Sequence, residues 1–473
     1  MPNGHKRGDF MVEKAIWTQT MHTGKRGKTL LLLGISFGYF MVLLDTTVLS
    51  VALPAIRDDL GGGISGLEWV ANAYTIVFAG LLLSMGALAD RWGAKRVYMG
   101  GLALFMAASA ISAFAPSLGA LIAMRGLLGA GGAALTPASL ALLSHAFPGP
   151  SERARALGIW AAITGVAMAS GPVVGGLLVD AFGWRSIFLL QVPLAIISLA
   201  LTSRLARETE RKQQKNFDLG GQLAAISAIG AVSFALMEGQ AYGWHSPVII
   251  SALSAAAVCA VLFIALEAKS KAPLLPLGIF RNHTVSAGLL AGMAVNIGFS
   301  GLLFALPLFF QQIRGLPAYM AGLALLPMTV PMAVNPIFTG RLVGRIGAKL
   351  PMTAGFGLAA LGTLLQLSAD EHARYTWMLL GLVMVGYGVS LTIPSLMAAV
   401  ISSVPKEQTG TVSGALNSSR QLGATLGVAL FGAVMNGSAS LMGGMRLALA
   451  AAAIVLFAGC WLSWAYIGGK KAP

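Results

Sequence analysis

Long apolar runs recur along the whole chain, and their length limits what the chain can fold into. A helix needs ~20 apolar residues to cross the ~30 Å hydrocarbon core of a bilayer, and each run is close to that length. Charged residues make up 10% of the chain, against roughly 25% in soluble globular proteins. Water is therefore not the main solvent. The fourteen runs cover approximately residues 30–55, 67–88, 97–115, 118–146, 154–179, 184–203, 219–238, 246–266, 282–311, 318–340, 350–369, 375–401, 408–435 and 444–467.

A glycine-punctuated, basic turn occurs twice, at an offset of 254 residues. Residues 86–96 read GALADRWGAKR and residues 340–350 read GRLVGRIGAKL, with six identities. A second pair of similar stretches, 132–140 and 388–396, has an offset of 256. The agreement between the offsets indicates an internal duplication of a bundle of membrane helices, which is typical of transporters.

The offset also divides the chain. Six predicted helices fill only part of the distance between the two copies. The remaining part holds a highly charged segment followed by two further apolar runs. We predict an all-α membrane protein of two six-helix bundles with two inserted spans, fourteen in total. The predicted divisions are a tail (1–28), an N-terminal bundle (29–204), a linker with two extra helices (205–281), a C-terminal bundle (282–468) and a second tail (469–473).

The net charge of +15 raises the question of a nucleic-acid partner, and its distribution argues against one. Lys and Arg concentrate in short loops on the cytoplasmic side of membrane proteins. When alternate loops are assigned to opposite sides, most of the 32 basic residues fall on one side. Both termini are therefore predicted to be cytoplasmic, with an even number of spans. The other side holds only Arg57, Arg185, Arg314, Arg374 and Arg446.

Several other classes of protein are disfavoured. The polar first 28 residues contain no apolar core of a cleavable signal, so the first span is expected to direct insertion. Cys259 and Cys460 lie in predicted spans, and the six His residues show no metal-binding spacing. With no phosphate-binding loop either, we expect no metal, no cofactor and no enzymatic activity. ATP is not the expected energy source.

Asp45 and Arg125 are charged residues that fall inside predicted spans. Asp45 lies about fifteen residues into its span, hence ~22 Å along the helix and near the middle of the bilayer. A carboxylate there costs at least ~2.5 kcal/mol, which favours a proton-binding role. The alternative is an Asp45 that hydrogen-bonds Thr46, Thr47 or a neighbouring helix. Arg125 has Asp45 as its nearest predicted partner, and the alternative for it is a static ion pair between two helices.

Several stretches resemble motifs of the major facilitator superfamily, and within it of the drug/proton antiporters with fourteen spans. The resemblance extends over essentially everything from residue 30 onward. The stretches are 44–54 (LDTTVLSVALP), the turn 86–96, Arg125 and Gly126 with Gly129, Gly131 and Gly132, the run 171–176 (GPVVGG), the run 184–188 (WRSIF), and 306–312 with Gly315.

The resemblance implies roles for three sets of residues. Asp45 is expected in proton coupling, cation binding or both in alternation, and Arg125 in proton transfer. The turn after the second span is expected to act as a cytoplasmic gate, and the alternative is a solvated charged loop. Arg420 lies in a polar patch inside a span, so it is expected to face either a cavity or the gate, and we favour a gate contact opposite Asp90. The fifth-span motif is expected to break its helix and to seal the cavity, and the alternative is ordinary helix packing. The gate residues are Gly86, Asp90, Arg91, Gly93 and Arg420, and the kink residues are Gly171, Pro172, Gly175 and Gly176.

Aromatic and polar residues of the first, second and ninth spans are candidates for a substrate cavity, and the alternative for each is lipid-facing or interfacial packing. Asn72 stands where similar exporters of divalent cations carry an acid, so dications are not the expected substrates. Gln191 stands where Asn is usual, and Glu238 is an acid near the outer end of the seventh span. The cavity candidates are Tyr39, Asn72, Tyr74, Asn296, Phe299 and Gln311.

These observations predict a proton-driven secondary exporter of lipophilic, neutral or monocationic compounds that works by alternating access. We expect a monomer in a bacterial inner membrane, surrounded by lipid, with small-molecule drugs and protons as its ligands. Two alternatives are a dedicated exporter of one endogenous metabolite and a membrane scaffold or sensor that transports nothing.

Overall fold

The computed structural model describes residues 25–211, 219–270, 275–368, 374–405 and 408–468, so most of the first predicted tail and all of the second lie outside the described residues. Long helices make up most of the described chain. These are α1 (Lys25–Leu60), α2 (Ile64–Trp92), α3 (Ala94–Ser112), α4 (Leu118–Ala146), α5 (Pro150–Phe182), α6 (Gln191–Leu205), α7 (Leu219–Tyr242), α8 (Pro247–Lys269), α9 (His283–Leu308), α10 (Ala318–Ile346), α11 (Lys349–Leu365), α12 (Tyr375–Ser402), α13 (Thr409–Asn436) and α14 (Leu441–Tyr466).

Shorter helical segments adjoin three of these helices. A single turn (Ser186–Leu189) precedes α6, and α9 continues directly into a π-helical turn (Phe309–Ile313). Short 3₁₀ segments lie before α9 and after α11, at Leu277–Arg281 and Gln366–Ser368. The all-α prediction is thereby confirmed.

Every predicted apolar run overlaps one of the fourteen long helices of the described residues. Twelve of the described helical segments are long and apolar enough to cross a membrane, and α3 and α13 are not among them. The charged start of α3 and the polar patch at 417–421 in α13 lower the apolarity of these two helices. The protein is thus a multi-pass membrane protein, while the count of fourteen spans stays a prediction.

The duplicated turn adopts the same backbone role in both copies. Gly93 ends α2 with φ 99°, and Gly347, 254 residues later, ends α10 with φ 85°. Glycine adopts such angles without the steric cost that a side chain would bring. The repeat in the sequence therefore marks two equivalent helix-to-helix turns.

The helices pack as two groups, and these groups meet mainly through three pairs of helices. Within each group, neighbouring helices cross closely: a Cβ at Gly101 would lie 3.0 Å from the Gly131 carbonyl oxygen, and one at Gly355 would lie 2.7 Å from that of Gly388. The groups meet where α2 packs on α13, α5 on α10 and α1 on α9. The inserted α7 packs on both α2 and α13, so it touches both groups.

The second inserted helix is peripheral. α8 packs against α7, and 6% of its most apolar stretch is buried, compared with 78% for α9. An apolar helix with so little burial faces lipid. The hairpin of α7 and α8 is therefore attached to the bundle through α7.

The bundle has two distinct ends. One end, which we call the terminal end, holds the start of α1 near the α4–α5 turn, where Lys28 pairs with Glu152 at 3.1 Å. It also holds the end of α14, whose Tyr466 carbonyl accepts a hydrogen bond from Thr284 at 3.2 Å. The opposite end carries the turns α1–α2, α5–α6 and α9–α10, where Arg185 pairs with Asp59 at 2.5 Å.

Candidate functional site

A buried ion pair joins α1 and α4 in the interior of the bundle. The Asp45 carboxylate contacts the Arg125 guanidinium through Oδ2 and Nη1, and the two side chains are 3% and 1% exposed. Arg125 Nε also donates to the Val70 carbonyl of α2 at 2.9 Å. The structure therefore brings together the two charged residues that were singled out inside spans.

A third helix completes the environment of this carboxylate. Gln191, at the start of α6, donates from Nε2 to Asp45 Oδ1 at 3.0 Å. Thr46 and Thr47 instead donate to carbonyl groups of their own helix. Both oxygens of Asp45 thus bind donors from neighbouring helices. Gln191 was noted in the sequence only as a departure from the family pattern, because nothing in one sequence shows that α6 starts beside the middle of α1.

Tyr74 connects the ion pair to a cavity. The Arg125 guanidinium lies over the Tyr74 ring, 4.8 Å from its centre, a cation–π arrangement. The Tyr74 hydroxyl donates to the Val42 carbonyl of α1 at 3.4 Å. Arg125 and Tyr74 also line the cavity described next, so a molecule bound there would touch the partner of Asp45.

The cavity lies between the two groups of helices. Its volume is about 1160 Å³, including space that is open to solvent, and most of its wall is apolar. Pockets with a few placed polar groups in an apolar wall are typical of small-molecule sites. Its lining residues are Tyr39, Leu43, Thr46, Leu49, Ser50, Leu53, Ala71, Tyr74, Thr75, Phe78, Leu82, Arg125, Thr136, Met168, Asn296, Phe299, Ser300, Leu303, Phe304, Met332, Ile393, Asn417, Arg420, Gln421, Ala424 and Val428.

Four of the six predicted cavity residues belong to this lining: Tyr39, Tyr74, Asn296 and Phe299. The structure places the other two elsewhere. Asn72 is fully buried and donates to the Met237 sulfur of α7 at 3.3 Å. Gln311 donates to the Val51 carbonyl of α1 at 2.9 Å, so it joins the two groups of helices. Both side chains are turned away by helix packing, which a list of polar residues in spans does not reveal.

Arg420 lies in the cavity wall, half-buried on α13. Its Nη1 donates to Asn417 Oδ1 at 3.4 Å, its Nε has no hydrogen-bond partner among the described residues, and Tyr39 lines the same cavity. The cavity, which the sequence offered as the alternative to a gate, is thus where this guanidinium is found. Its pairing with Asp90 stays a prediction.

The predicted gate residues of the first copy lie at the terminal end. Gly86 lies on α2 beside α4, where a Cβ would contact Pro137 at 3.6 Å. Asp90 is half-buried, Arg91 is exposed, and Gly93 is the buried turn residue. These positions suit a gate, whose function stays a prediction.

The segment after α6 holds this turn in place. Glu208 accepts a hydrogen bond from the Lys95 amide at 2.8 Å, and Thr209 accepts one from the Ala94 amide at 2.8 Å. The first amides of a helix lack partners within the helix, so these side chains cap α3. Sequence reasoning missed Glu208, because it lies far along the chain from the helix that it caps.

The fifth-span motif packs closely against two neighbouring helices. α5 is assigned as one helix from Pro150 to Phe182 with Pro172 inside it, and a kink at this motif stays a prediction. A Cβ at Gly175 would lie 2.9 Å from the Val48 carbonyl of α1, and one at Gly176 would lie even closer to the Ala318 carbonyl of α10. Packing on both sides supports the helix where Pro172 removes one backbone donor. Gly171, Gly175 and Gly176 are therefore contact positions for α1 and α10.

Two acidic side chains lie near the start of α2, at the end of the bundle opposite the termini. Glu238 of α7 accepts hydrogen bonds from Ser65 and Trp69 of α2, at 2.7 and 2.8 Å. Glu68, one turn into α2, is 0% exposed. Glu68 was not singled out in the sequence, because the predicted apolar run begins at residue 67 and Glu68 therefore lies at its boundary. Its spacing of four residues from Asn72 on one helical face was the available signal.

The helical bundle, its central cavity and its buried ion pair define a multi-pass membrane transporter. The chain belongs to the Major Facilitator Superfamily, whose family model matches residues 35–428. This family consists of transporters, as the resemblance of the motifs predicted.

Several curated relatives carry names that refer to drug resistance. The chain is 38% identical over 410 residues to the multidrug resistance protein Stp of Mycobacterium tuberculosis, covering 87% of this chain and 76% of that protein. It is 35% identical over 436 residues to the methylenomycin A resistance protein of Bacillus subtilis, covering 90% and 93% of the two chains. A third relative, the drug efflux pump JefA of M. tuberculosis, is 33% identical over 407 residues, 86% of this chain and 80% of that one.

Solved structures show the same fold at much lower identity. A mutant of the nucleoside transporter NupG superposes with a TM-score of 0.66 at 14% identity, covering 92% of this chain and 99% of that one. A bacterial homologue of the human lysosomal transporter Spinster, in an inward-facing and unoccupied conformation, also gives 0.66, at 15% identity and with 93% and 97% coverage.

Proposed function

We propose that the protein is a proton-coupled secondary exporter of lipophilic, neutral or monocationic compounds. The observation that carries this proposal is the contact between Arg125, which pairs with Asp45, and a largely apolar cavity between the two groups of helices. The relatives named for multidrug resistance and drug efflux support it. The protein needs no cofactor and has no enzymatic activity on this proposal, since a proton gradient supplies the energy.

The coupling follows from the chemistry of the pair. Arg125 keeps its proton at all physiological pH values, whereas Asp45 can bind and release one. A proton on Asp45 neutralises its carboxylate, so the ion pair with Arg125 is lost. The Arg125 guanidinium is then free to move, and it stacks on Tyr74, which belongs to the cavity wall. Because Arg125 belongs to that wall, substrate and proton act on the same pair. This shared contact lets release of one accompany binding of the other.

Alternating access needs the two groups of helices to separate at one end at a time. At the end opposite the termini, Asp180 of α5 accepts hydrogen bonds from the first amides of α10 at 2.8 and 3.2 Å, and Arg57 donates to Gln312 at 3.2 Å. These contacts support a state that is closed at that end. We place the terminal end in the cytoplasm of a bacterial cell, with the gate residues there and the chain acting as a monomer in the inner membrane.

The charges in the cavity wall favour substrates of a particular charge. Among the described lining residues there are two arginines and no Asp or Glu. A cation therefore meets no carboxylate in the wall itself, so neutral compounds suit the cavity better than cations do. The absence of an acid at Asn72, which is buried against α7, agrees with the expectation that divalent cations are not substrates.

A second candidate is a dedicated exporter of a single compound. Its support is the name of the methylenomycin A resistance protein, which the chain matches over 90% of its length. Efflux assays with several unrelated dyes separate the candidates, because a dedicated exporter moves only one of them. A scaffold or sensor would produce no substrate counterflow in proteoliposomes.

The test of the coupling uses Asp45→Asn in proteoliposomes with a trapped pH indicator. We expect normal insertion and no drug-induced proton movement, since the amide cannot bind the proton. Asp59→Asn is the matched control, because Asp59 lies on the same helix but pairs with Arg185 at the exposed end. Undiminished proton-driven efflux by Asp45→Asn contradicts the proposal.

A further inference from the structure

Glu68 is an acidic residue buried in the contact between the two groups of helices. It is 0% exposed, and neither of its carboxyl oxygens has a hydrogen-bond partner among the described residues. Its carboxyl group packs directly on Gly432 of α13, where even a methyl group would have no room. Glu68 lies outside the cavity between the two groups of helices, since neither Glu68 nor Gly432 belongs to the lining of that cavity. A charged carboxylate without donors or a cation is costly in such a place.

The neighbour of Glu68 is a second carboxyl group, from the inserted helix α7. Glu238 accepts hydrogen bonds from the Ser65 hydroxyl and the Trp69 indole, which flank Glu68 on α2. Since Glu238 is bonded to residues on both sides of Glu68 in the sequence, the two carboxyl groups are neighbours and repel each other when both are charged. Because Glu238 receives two donors and Glu68 none, a single negative charge in this pair is best placed on Glu238.

No basic side chain of the described chain offsets this repulsion. Glu238 is the charged group that faces Glu68 from α7, and the last turns of α13 carry apolar residues, Gly432 and the exposed Asn436. At the nearby end of α1, the charged groups bond to one another, to Gln312 and to Arg185. The other ionisable groups of the described side chains on elements packed against α2 are Arg57, Asp58, Asp59 and Tyr242 near this end, and Arg26, Lys28, Tyr39, Asp45, Lys95, Arg96, Tyr98, Arg125, His145 and Arg420 in the middle or towards the terminal end.

We propose that Glu68 and Glu238 form a second proton-binding site, which holds one proton while α13 is closed against α2. Two carboxyl groups in one buried site share a proton because both cannot be charged. Separation of α13 from α2 would bring water to Glu68, where a carboxylate is stable. Proton binding at Glu68 therefore permits closure of the end opposite the termini, and proton loss opposes it.

The site also gives a function to the inserted hairpin. α7 supplies Glu238 to α2, and Gln240 of the same helix lies against Gly437 just beyond α13. One inserted helix thus contacts both sides of the closing interface. The proposal depends on the proposed exporter only for its place in transport, because proton binding and closure are measured without any drug.

The experiment measures the distance between spin labels across the closing interface. Gly63→Cys and Ala439→Cys place labels at exposed positions near the ends of α2 and α13, in a background where Cys259 and Cys460 are replaced by Ser. In protein reconstituted in lipid nanodiscs, we expect short distances at acidic pH and a growing population of long distances at alkaline pH. With Glu68→Gln added, which mimics the protonated form, we expect short distances at every pH.

Two controls make this result specific. Glu267→Gln removes another buried carboxyl, on the peripheral helix α8, and should leave the pH response unchanged. The infrared band of protonated carboxyl groups at neutral pH should weaken in Glu68→Gln but not in Glu267→Gln. The proposal is overturned if the distances between the spin labels in the parent protein do not change with pH. It is also overturned if Glu68→Gln shows the same growth of long distances at alkaline pH as the parent. Drug-induced proton release by the same preparations tests the exporter separately, since it depends on Asp45.

Discussion

Gln191 donates a hydrogen bond to one oxygen of Asp45 at 3.0 Å, while Arg125 contacts the other oxygen. Three helices, α6, α1 and α4, therefore meet at one buried carboxylate. The bond from Gln191 gives the second oxygen of Asp45 a neutral donor, so the carboxylate is held by a charged and an uncharged partner.

Replacing Gln191 by Leu should slow drug/proton exchange about tenfold or more. A hydrogen bond to a charged group contributes about 1.5–3 kcal/mol, and its loss leaves one oxygen of Asp45 without its donor from α6. The measurement is the rate of exchange in proteoliposomes across a pH series. Gln421→Leu is the control, because Gln421 lines the cavity and is not a partner of Asp45. An unchanged rate in Gln191→Leu would show that the bond has no part in coupling.

Replacing Arg420 by Gln should change which compounds the cavity binds. Its guanidinium lines a cavity whose described lining holds no acid, so it can donate hydrogen bonds to a carbonyl or ether oxygen of a neutral compound. We expect affinity for such neutral compounds to fall about tenfold or more, and affinity for monocationic compounds to change less. Binding is measured by tryptophan fluorescence quenching. Arg446→Gln, at an exposed position on α14, should leave both affinities unchanged, and equal losses for both classes would contradict this assignment.

Replacing Gly176 by Val should impair transport by forcing α5 away from α10. The α10 backbone lies too close to Gly176 to admit a side chain, and overpacking of this kind costs about 1–3 kcal/mol. Gly158→Val is the matched control on the same helix, since a Cβ there meets open space. Efflux rate and thermal stability are compared for the two variants. Normal efflux by Gly176→Val would mean that the close crossing is not needed for closure.

Replacing Glu208 by Ala should destabilise the turn after α2. Glu208 accepts from the Lys95 amide at 2.8 Å, and loss of a helix cap costs about 0.5–2 kcal/mol. Thermal unfolding in detergent measures the effect, with Glu210→Ala as the exposed control. If both variants melt at the temperature of the parent, Glu208 contributes no measurable capping.

Much of the fold could be predicted because its signals are local. Apolar runs of membrane-spanning length located all fourteen long helices of the described chain, and the repeat at 86–96 and 340–350 located two equivalent turns ending in Gly93 and Gly347. The charged residues Asp45 and Arg125 were evident because a bilayer penalises charge, so their meeting follows from a need for partners. Family membership was likewise evident from motifs.

The rest of the site depends on which way each side chain faces. In a helix that is apolar on nearly all sides, the sequence does not distinguish the face towards lipid from the face towards another helix. Asn72 and Gln311 were therefore expected in the cavity but lie at helix contacts. By itself the sequence determined the helices, the duplication and the buried charges. Only the tertiary structure decided that Gln191 joins Asp45, that Arg420 faces the cavity and that Glu68 is buried against Gly432, because such contacts form between helices that are far apart along the chain.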